Sequence, residues 1–131
     1  MAAKAKILII EDSPTQAAVI ADVVKKAGHQ PAIYTDIAAG ISQIIVKERP
    51  DLVLLDLHLL DANGNQIADG FQVCREIKRS PMKPGVVVVS AEGDEEAVQW
   101  AIMQGADAFL QKPFAVADLT RVISEVLGDG S

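Results

Sequence analysis

Cysteine, aromatic residues and positive charge are all scarce in this sequence. The chain of 131 residues has one cysteine, Cys74, so an internal disulfide is excluded, which is typical of the reducing cytoplasm. Aromatic residues make up only 4% of the chain, so Val, Ile, Leu and Ala must build the core, as in a buried sheet covered by helices. The formal net charge of −6 leaves no basic stripe and argues against direct binding of nucleic acid.

Long hydrophobic runs are also missing. No apolar stretch reaches the length of a membrane span, and the amino terminus leads into the short run 7–10 without a signal-peptide hydrophobic region. The sequence therefore predicts a cytoplasmic protein with no membrane association. Its length suits one domain. We expect this domain to span 1–131, with its core at about 4–127 and a loose tail at 128–131.

Short β-rich runs alternate with longer helical patterns along the chain. Such alternation predicts a parallel sheet with helices on both faces. We expect an α/β, flavodoxin-like (βα)5 fold, doubly wound, with strand order 2-1-3-4-5 and a ligand site at the carboxyl ends of the strands. The predicted strands are 7–10, 29–34, 52–55, 86–89 and 108–110. The predicted helices cover about 14–27, 37–48, 70–79, 95–104 and 116–127.

Helix boundaries follow from capping residues. Ser13 is a good cap for the first helix, and Gly28 is predicted to end it. Asp36 is predicted to cap the second helix. In the last helix, Val116 belongs to the predicted inner side. Ala115 is a poor cap there, so the first turn should be loosened.

Reactive side chains follow four of the predicted strands. Glu11 and Asp12 follow the first strand, Asp56 the third, Ser90 the fourth and Lys112 the fifth. Because the carboxyl ends of parallel strands meet at one edge, all five should line one shallow cleft.

Each residue type at this edge has a chemical use. Carboxylates held together repel one another unless a cation or proton intervenes, and oxygen ligands suit Mg²⁺. One carboxylate can act as a nucleophile toward phosphorus, giving an acyl phosphate. An ammonium group and a hydroxyl can then hold the phosphoryl oxygens. The combination predicts phosphoryl chemistry.

Four segments carry a recognisable pattern: IIEDS at 9–13, DLVLLD at 51–56, VVVVSA at 86–91 and GADAFLQKPF at 105–114. Together they resemble the motifs of bacterial two-component response regulator receiver domains, over about residues 4–127. Weaker similarities around the first helix and Trp100 point to single-domain regulators of twitching motility and chemotaxis-like systems.

The resemblance implies a phosphorylation site with a metal. Asp56 would accept a phosphoryl group from a sensor histidine kinase or phosphotransfer protein. Glu11, Asp12 and Asp56, with the backbone carbonyl of His58, would hold Mg²⁺ or Mn²⁺. The chain would be a signalling phosphoacceptor, not an enzyme acting on other substrates.

The resemblance also implies a switch. Ser90 and Lys112 would bind the phosphoryl group, and Ser90 would report its presence. Phe109 would be the switch aromatic, here without the hydroxyl of a tyrosine. The bond between Lys112 and Pro113 would be cis, which X-Pro pairs permit. The fourth helix, fifth strand and fifth helix would then bind a downstream protein, or a second phosphorylated copy in a homodimer.

The stretch 57–69 departs from the family, because it is longer than the usual connection after the phosphoacceptor. Asn63-Gly64 predicts a small β-hairpin beside Asp56, which would shield the phosphoryl group or contact a partner. A calcium loop is a rival interpretation, since acidic and amide residues alternate here. We reject it because Gln66 and Gln72 stand where Gly and Glu are required.

Three other functions compete with this interpretation. A pseudo-receiver would bind partners without being phosphorylated, and binding of a phosphate mimic would distinguish it. A haloacid-dehalogenase-type enzyme needs an Asp two residues after its nucleophile, but His58 stands there. A flavin-binding protein of the same topology needs a phosphate loop after the first strand, where Glu11 and Asp12 would repel phosphate.

Overall fold

Strands and helices alternate throughout the part of the chain that the structure describes. The structure is a computed structural model and describes residues 4–37, 39–56, 70–90 and 95–128. The strands are β1 (Lys6–Ile10), β2 (Gln30–Tyr34), β3 (Leu52–Asp56), β4 (Gly85–Ser90) and β5 (Ala108–Gln111). The helices are α1 (Pro14–Lys26), α2 (Ile41–Glu48), α3 (Gly70–Arg79), α4 (Glu95–Met103) and α5 (Val116–Leu127).

The five strands form one parallel sheet in the order β2-β1-β3-β4-β5, as the sequence predicts. The chain leaves β1 for β2 on one side and later returns to place β3 on the other. This change of direction opens a crevice outside the carboxyl ends of β1 and β3, where ligands bind in sheets of this type. The topology therefore directs attention to the residues that follow Ile10 and end β3.

Helices cover both faces of the sheet, and alternate strand residues supply the two cores. Ile7 and Ile9 pack under α1 and α5, whereas Leu8 and Ile10 pack under α2, α3 and α4. All four are at most 1% exposed. A strand buried on both faces needs a continuous apolar run, which is why β1, β3 and β4 lack the polar alternation of half-exposed strands.

Helix α1 begins and ends as predicted. The Ser13 hydroxyl oxygen accepts the backbone N–H of Gln16 at 3.3 Å, and Pro14 occupies the first turn. The helix ends before Gly28, whose φ of +94° lies in the left-handed region that favours glycine. The cap fixes where the chain turns from β1 into α1, beside the acidic pair.

The predicted cap of α2 is wrong. Helix α2 begins at Ile41 after Gly40, and Asp36 lies well before it. The core-facing residues of α2 are Ile41, Ile44 and Ile45, so the apolar helical stripe starts only at Ile41. Before it the chain makes a turn, in which Gly40 donates its N–H to the carbonyl oxygen of Ile37 at 2.9 Å.

One of the two expectations for α5 is also corrected. Val116 is 62% exposed and lines a groove against α1 instead of the sheet, while the buried stripe starts at Leu119. Ala115 offers no capping side chain, but the Asp118 carboxylate accepts its backbone N–H at 3.2 Å. This bond satisfies the backbone N–H of the cap residue but not the N–H groups of the first helical turn, so the loosened first turn stays a prediction.

In the residues that the structure describes, no helix has the length and apolar character needed to cross a membrane.

Candidate functional site

The carboxyl edge of the sheet brings together the five side chains that the sequence selects. Glu11 and Asp12 directly follow β1, and Asp56 is the last residue of β3. Ser90 ends β4, and Lys112 follows β5. Parallel strands in register place these positions side by side, since each strand ends at the same edge.

Three carboxylates form the centre of this site. Glu11, Asp12 and Asp56 each offer an oxygen atom, and these oxygens lie within 4.8 Å of one another. Glu11 is 2% exposed and Asp56 is 4% exposed, so neither charge is well solvated. Three negative groups this close repel unless a cation or a proton intervenes. Because the donors are all oxygen, the set fits a hard divalent ion such as Mg²⁺ or Mn²⁺.

Lys112 supplies positive charge to this cluster. Its ammonium nitrogen lies 2.8 Å from Oε2 of Glu11 and 3.5 Å from Oδ2 of Asp56. The same nitrogen lies 2.7 Å from Oε1 of Gln16 on α1. The contact with Asp56 is thus the longest of the three.

The Glu11 carboxyl carries the strongest electrostatic perturbation in the cluster. Burial raises the pKa of Glu11 to about 7. The hydrogen bond from Lys112 opposes this rise in pKa, and the neighbouring Asp56 adds to it. Burial is thus the main reason why the charged form of Glu11 is disfavoured, and a bound cation beside it would oppose this effect.

Ser90 and Lys112 are coupled through the backbone. The backbone N–H of Lys112 donates to the carbonyl oxygen of Ser90 at 2.8 Å. Ser90 is fully buried at the end of β4. The bond between Lys112 and Pro113 is cis, as the family resemblance implies. The hydrogen bond between Lys112 and Ser90 holds the last residue of β4 beside the first residue after β5.

Some of the predicted features lie outside the described residues. They include His58 and its carbonyl ligand, the hairpin predicted within 57–69, and the segment 91–94; the side chain of Trp100 also belongs to this group. One site residue escaped the sequence analysis. Gln16 contacts Lys112, and its position in the first turn of a helix that directly follows Glu11 and Asp12 was the available signal.

Comparison with protein families decides the identity of the domain. The model of the response regulator receiver domain matches residues 7–124 of this chain. The chain belongs to this family. Receiver domains take part in two-component signalling as phosphoacceptors, bind Mg²⁺ at an acidic pocket, and interact with histidine kinases or phosphotransfer proteins and with downstream targets. The haloacid-dehalogenase and flavin interpretations are thereby excluded.

Individual relatives agree with this assignment. Protein PilH of Pseudomonas aeruginosa is 30% identical over 125 residues, which cover 94% of this chain and 98% of PilH. The transcriptional regulatory protein YxdJ of Bacillus subtilis is 32% identical over 84% of this chain, but the match spans only 44% of YxdJ. The match to NtrX of Azorhizobium caulinodans likewise spans 25% of that protein. The receiver domain thus occurs both as nearly the whole of a relative and as one part of a longer relative.

Solved structures share the fold. A putative response regulator from Chloroflexus aurantiacus superposes with a TM-score of 0.84 at 24% identity, covering 96% of this chain and 99% of that one. The receiver domain of a putative LuxO repressor protein from Vibrio parahaemolyticus gives a TM-score of 0.83 at 25% identity, covering 96% and 92%. The flavodoxin-like fold predicted from the sequence is confirmed.

Proposed function

We propose that Asp56 accepts the phosphoryl group in this receiver domain. The observation that carries the proposal is the position of Asp56, buried at the end of the central strand β3, within 4.8 Å of two further carboxylates and 3.5 Å from the ammonium of Lys112. In the transfer, an Asp56 carboxylate oxygen attacks the phosphorus of a phosphohistidine. The new P–O bond forms as the P–N bond breaks, and the imidazole leaves with the electron pair and takes a proton from water.

Glu11, Asp12 and Asp56 would hold the divalent ion, with the carbonyl of His58 as a further ligand. The ion supplies positive charge that neutralises the carboxylates and the incoming phosphoryl oxygens. Lys112 would add a point charge beside Asp56, and the Ser90 hydroxyl would donate to a phosphoryl oxygen. These groups together offset the repulsion that a phosphate would meet in an acidic cleft.

The readout proposed for the domain is a change of surface. Binding of the Ser90 hydroxyl to the phosphoryl group would let Phe109 move inward and would alter the surface of α4, β5 and α5. The altered surface would bind a downstream protein or a second phosphorylated copy. We propose that the single receiver unit, with its core at about 4–127, suffices for this change.

A pseudo-receiver is the alternative function. It predicts a receiver fold in which the acidic cluster or the lysine is lost or kept apart. Carboxylate oxygens of Glu11, Asp12 and Asp56 instead lie within 4.8 Å of one another, and the Lys112 ammonium contacts Glu11 and Asp56. This arrangement favours a phosphorylated domain.

Intact mass spectrometry tests the proposal directly. After incubation with acetyl phosphate and Mg²⁺, the wild-type chain should gain the mass of one phosphoryl group, and the Asp56→Asn variant should not. Asp22→Asn is the matched control, because Asp22 is an exposed α1 residue paired with Lys26, away from the cluster. A mass gain that persists in Asp56→Asn, or no gain in the wild type, contradicts the proposal.

A further inference from the structure

Gln16 contacts Lys112, the lysine of the proposed phosphorylation site. It lies in the first turn of α1, and its side-chain Oε1 accepts a hydrogen bond from the Lys112 ammonium at 2.7 Å. The two residues stand 96 positions apart in the chain. Gln16 lies outside the four segments that carry the receiver-domain pattern.

The orientation of the Gln16 amide follows from chemistry. A lysine ammonium has three donors and no acceptor. The carbonyl oxygen of the amide must therefore face Lys112, since the amide NH₂ would bring donor against donor. The contact is a hydrogen bond between a charged donor and a neutral acceptor, which is stronger than one between two neutral groups.

A glutamine at the third position of a helix often accepts the backbone N–H of the cap residue, but here Glu11 accepts it. Ser13 and Gln16 have the spacing of a capping box, in which the glutamine side chain would bond the backbone N–H of Ser13. In this structure the Ser13 N–H instead donates to Oε1 of Glu11 at 3.3 Å. Gln16 keeps only half of the capping arrangement, its own N–H bonded to Ser13, and its side chain is directed to Lys112.

The distances around the ammonium show where Lys112 is held. Its nitrogen lies 2.7 Å from Gln16 and 2.8 Å from Glu11, but 3.5 Å from Asp56. Two good hydrogen bonds thus keep the charge on the α1 side of the cluster. A phosphoryl group on Asp56 must draw this ammonium toward itself, against the bond to Gln16.

We propose that Gln16 is a positioning residue that restrains Lys112 and so slows phosphorylation of Asp56. The proposal rests on Asp56 being the phosphoacceptor. Removing the acceptor, as in Gln16→Leu, frees the ammonium to move toward Asp56. Strengthening it with a carboxylate, as in Gln16→Glu, holds the ammonium back more firmly. A purely structural role would instead impair both variants.

The experiment measures phosphorylation by acetyl phosphate with Mg²⁺, in which the P–O bond of the donor breaks, a P–O bond to Asp56 forms and acetate leaves. No protein partner is involved, so docking does not enter. We expect Gln16→Leu to react faster and Gln16→Glu slower than the wild type, each by about two- to fivefold. The affinity for beryllium fluoride, a phosphoryl mimic, should change in the same order.

Two controls isolate the effect. Gln43→Leu makes the same chemical change at an exposed position of α2, on the opposite face of the sheet, and should match the wild type. Urea titrations should show that Gln16→Leu and Gln16→Glu both remain cooperatively folded under the conditions of the rate measurements. In ¹⁵N NMR, the Lys112 ammonium signal should shift in Gln16→Leu and stay unchanged in Gln43→Leu.

The possible outcomes separate the two proposals. Opposite changes in the two Gln16 variants support the positioning role. Equal rates in all variants, or slower reaction in both, overturn it while phosphorylation of Asp56 stands. A wild-type chain that reacts no better than Asp56→Asn overturns the proposed function and this inference together.

Discussion

Ser90 and Phe109 lie on the same face of the sheet, on neighbouring strands. Phe109 pairs with Val88, and Ser90 follows Val88 by two positions along β4. Because strand side chains alternate between the two faces, Val88, Ser90 and Phe109 share one face. Ser90 is fully buried, while Phe109 is half-buried and packs against the core beneath α4. A movement of the Ser90 side chain can therefore be transmitted to Phe109 through the side chains that pack on this face of the sheet.

This relationship predicts separate effects for Phe109→Ala. The variant should still be phosphorylated on Asp56, because Phe109 contributes no group to the acidic cluster. Addition of beryllium fluoride should, however, shift the amide NMR signals of α4, β5 and α5 far less than in the wild type. The loss of half-buried contacts should cost about 1–3 kcal/mol of stability.

The matched control for Phe109→Ala is Leu110→Ala, next along β5 but facing the core beneath α5. It should destabilise the domain without uncoupling the amide shifts from the phosphoryl mimic. Loss of phosphorylation in Phe109→Ala would contradict the division between acceptor and readout.

Gly85 is required for space, not for backbone freedom. A Cβ atom at Gly85 would lie 2.5 Å from Cγ1 of Val126 on α5. Gly85→Ala should therefore destabilise the domain by about 1–3 kcal/mol, as overpacking does. In the double variant with Val126→Ala, the loss should be smaller than the sum of the two single losses, measured by urea unfolding.

Gly28 provides the contrasting case. A Cβ atom there would meet nothing within 4 Å, but its φ of +94° strains any other residue. Gly28→Ala should cost about 1–2 kcal/mol, and Val126→Ala should not relieve it. For the double variant of the preceding prediction, strictly additive stability losses of Gly85→Ala and Val126→Ala would show that the structure has relaxed to relieve the close approach between the new Cβ atom and Val126.

Cys74 should be chemically inert in the folded domain. It is fully buried in α3, and burial raises the pKa of its thiol to about 11. Since the thiolate is the reactive form, a maleimide or disulfide reagent at neutral pH should label it only when the domain opens. Labelling rates measured against urea concentration should rise with unfolding. Equally fast labelling of folded and unfolded chains would contradict this prediction.

The carboxylate of Glu48 should contribute to the acid dependence of stability. It lies 2.7 Å from the Lys6 ammonium and accepts the Tyr34 hydroxyl at 2.6 Å. These hydrogen bonds, that from Lys6 first, lower the pKa of Glu48 below its ordinary value of 4.5. Its contribution is therefore present above pH 4.5 and is lost as the pH falls through the lowered folded-state pKa.

Replacement of Glu48 by glutamine tests this sign. The Glu48→Gln variant should be less stable than the wild type at pH 7, and the difference should shrink as the pH falls below 4.5. Urea unfolding at a series of pH values measures both curves. A constant difference across this range would exclude the carboxylate as the source.

Local sequence patterns were sufficient to predict the sheet and the residues that lie at the carboxyl ends of its strands. A continuous apolar run such as that of β1 signals a strand buried on both faces, and the βα alternation requires parallel strands. Parallel strands end together, so Glu11, Asp56 and Lys112 had to meet once the order was 2-1-3-4-5. These inferences need only neighbouring residues and the handedness of the connections.

Tertiary packing decided what no local pattern contains. The capping and periodicity rules alone misplaced the start of α2, which lies at Ile41, and the side of α5 on which Val116 lies. The bond between Gln16 and Lys112 depends on the approach of α1 to the loop after β5, across 96 residues of chain. Propensity and periodicity act within a few residues, whereas such distances are set only when the helices pack on the sheet.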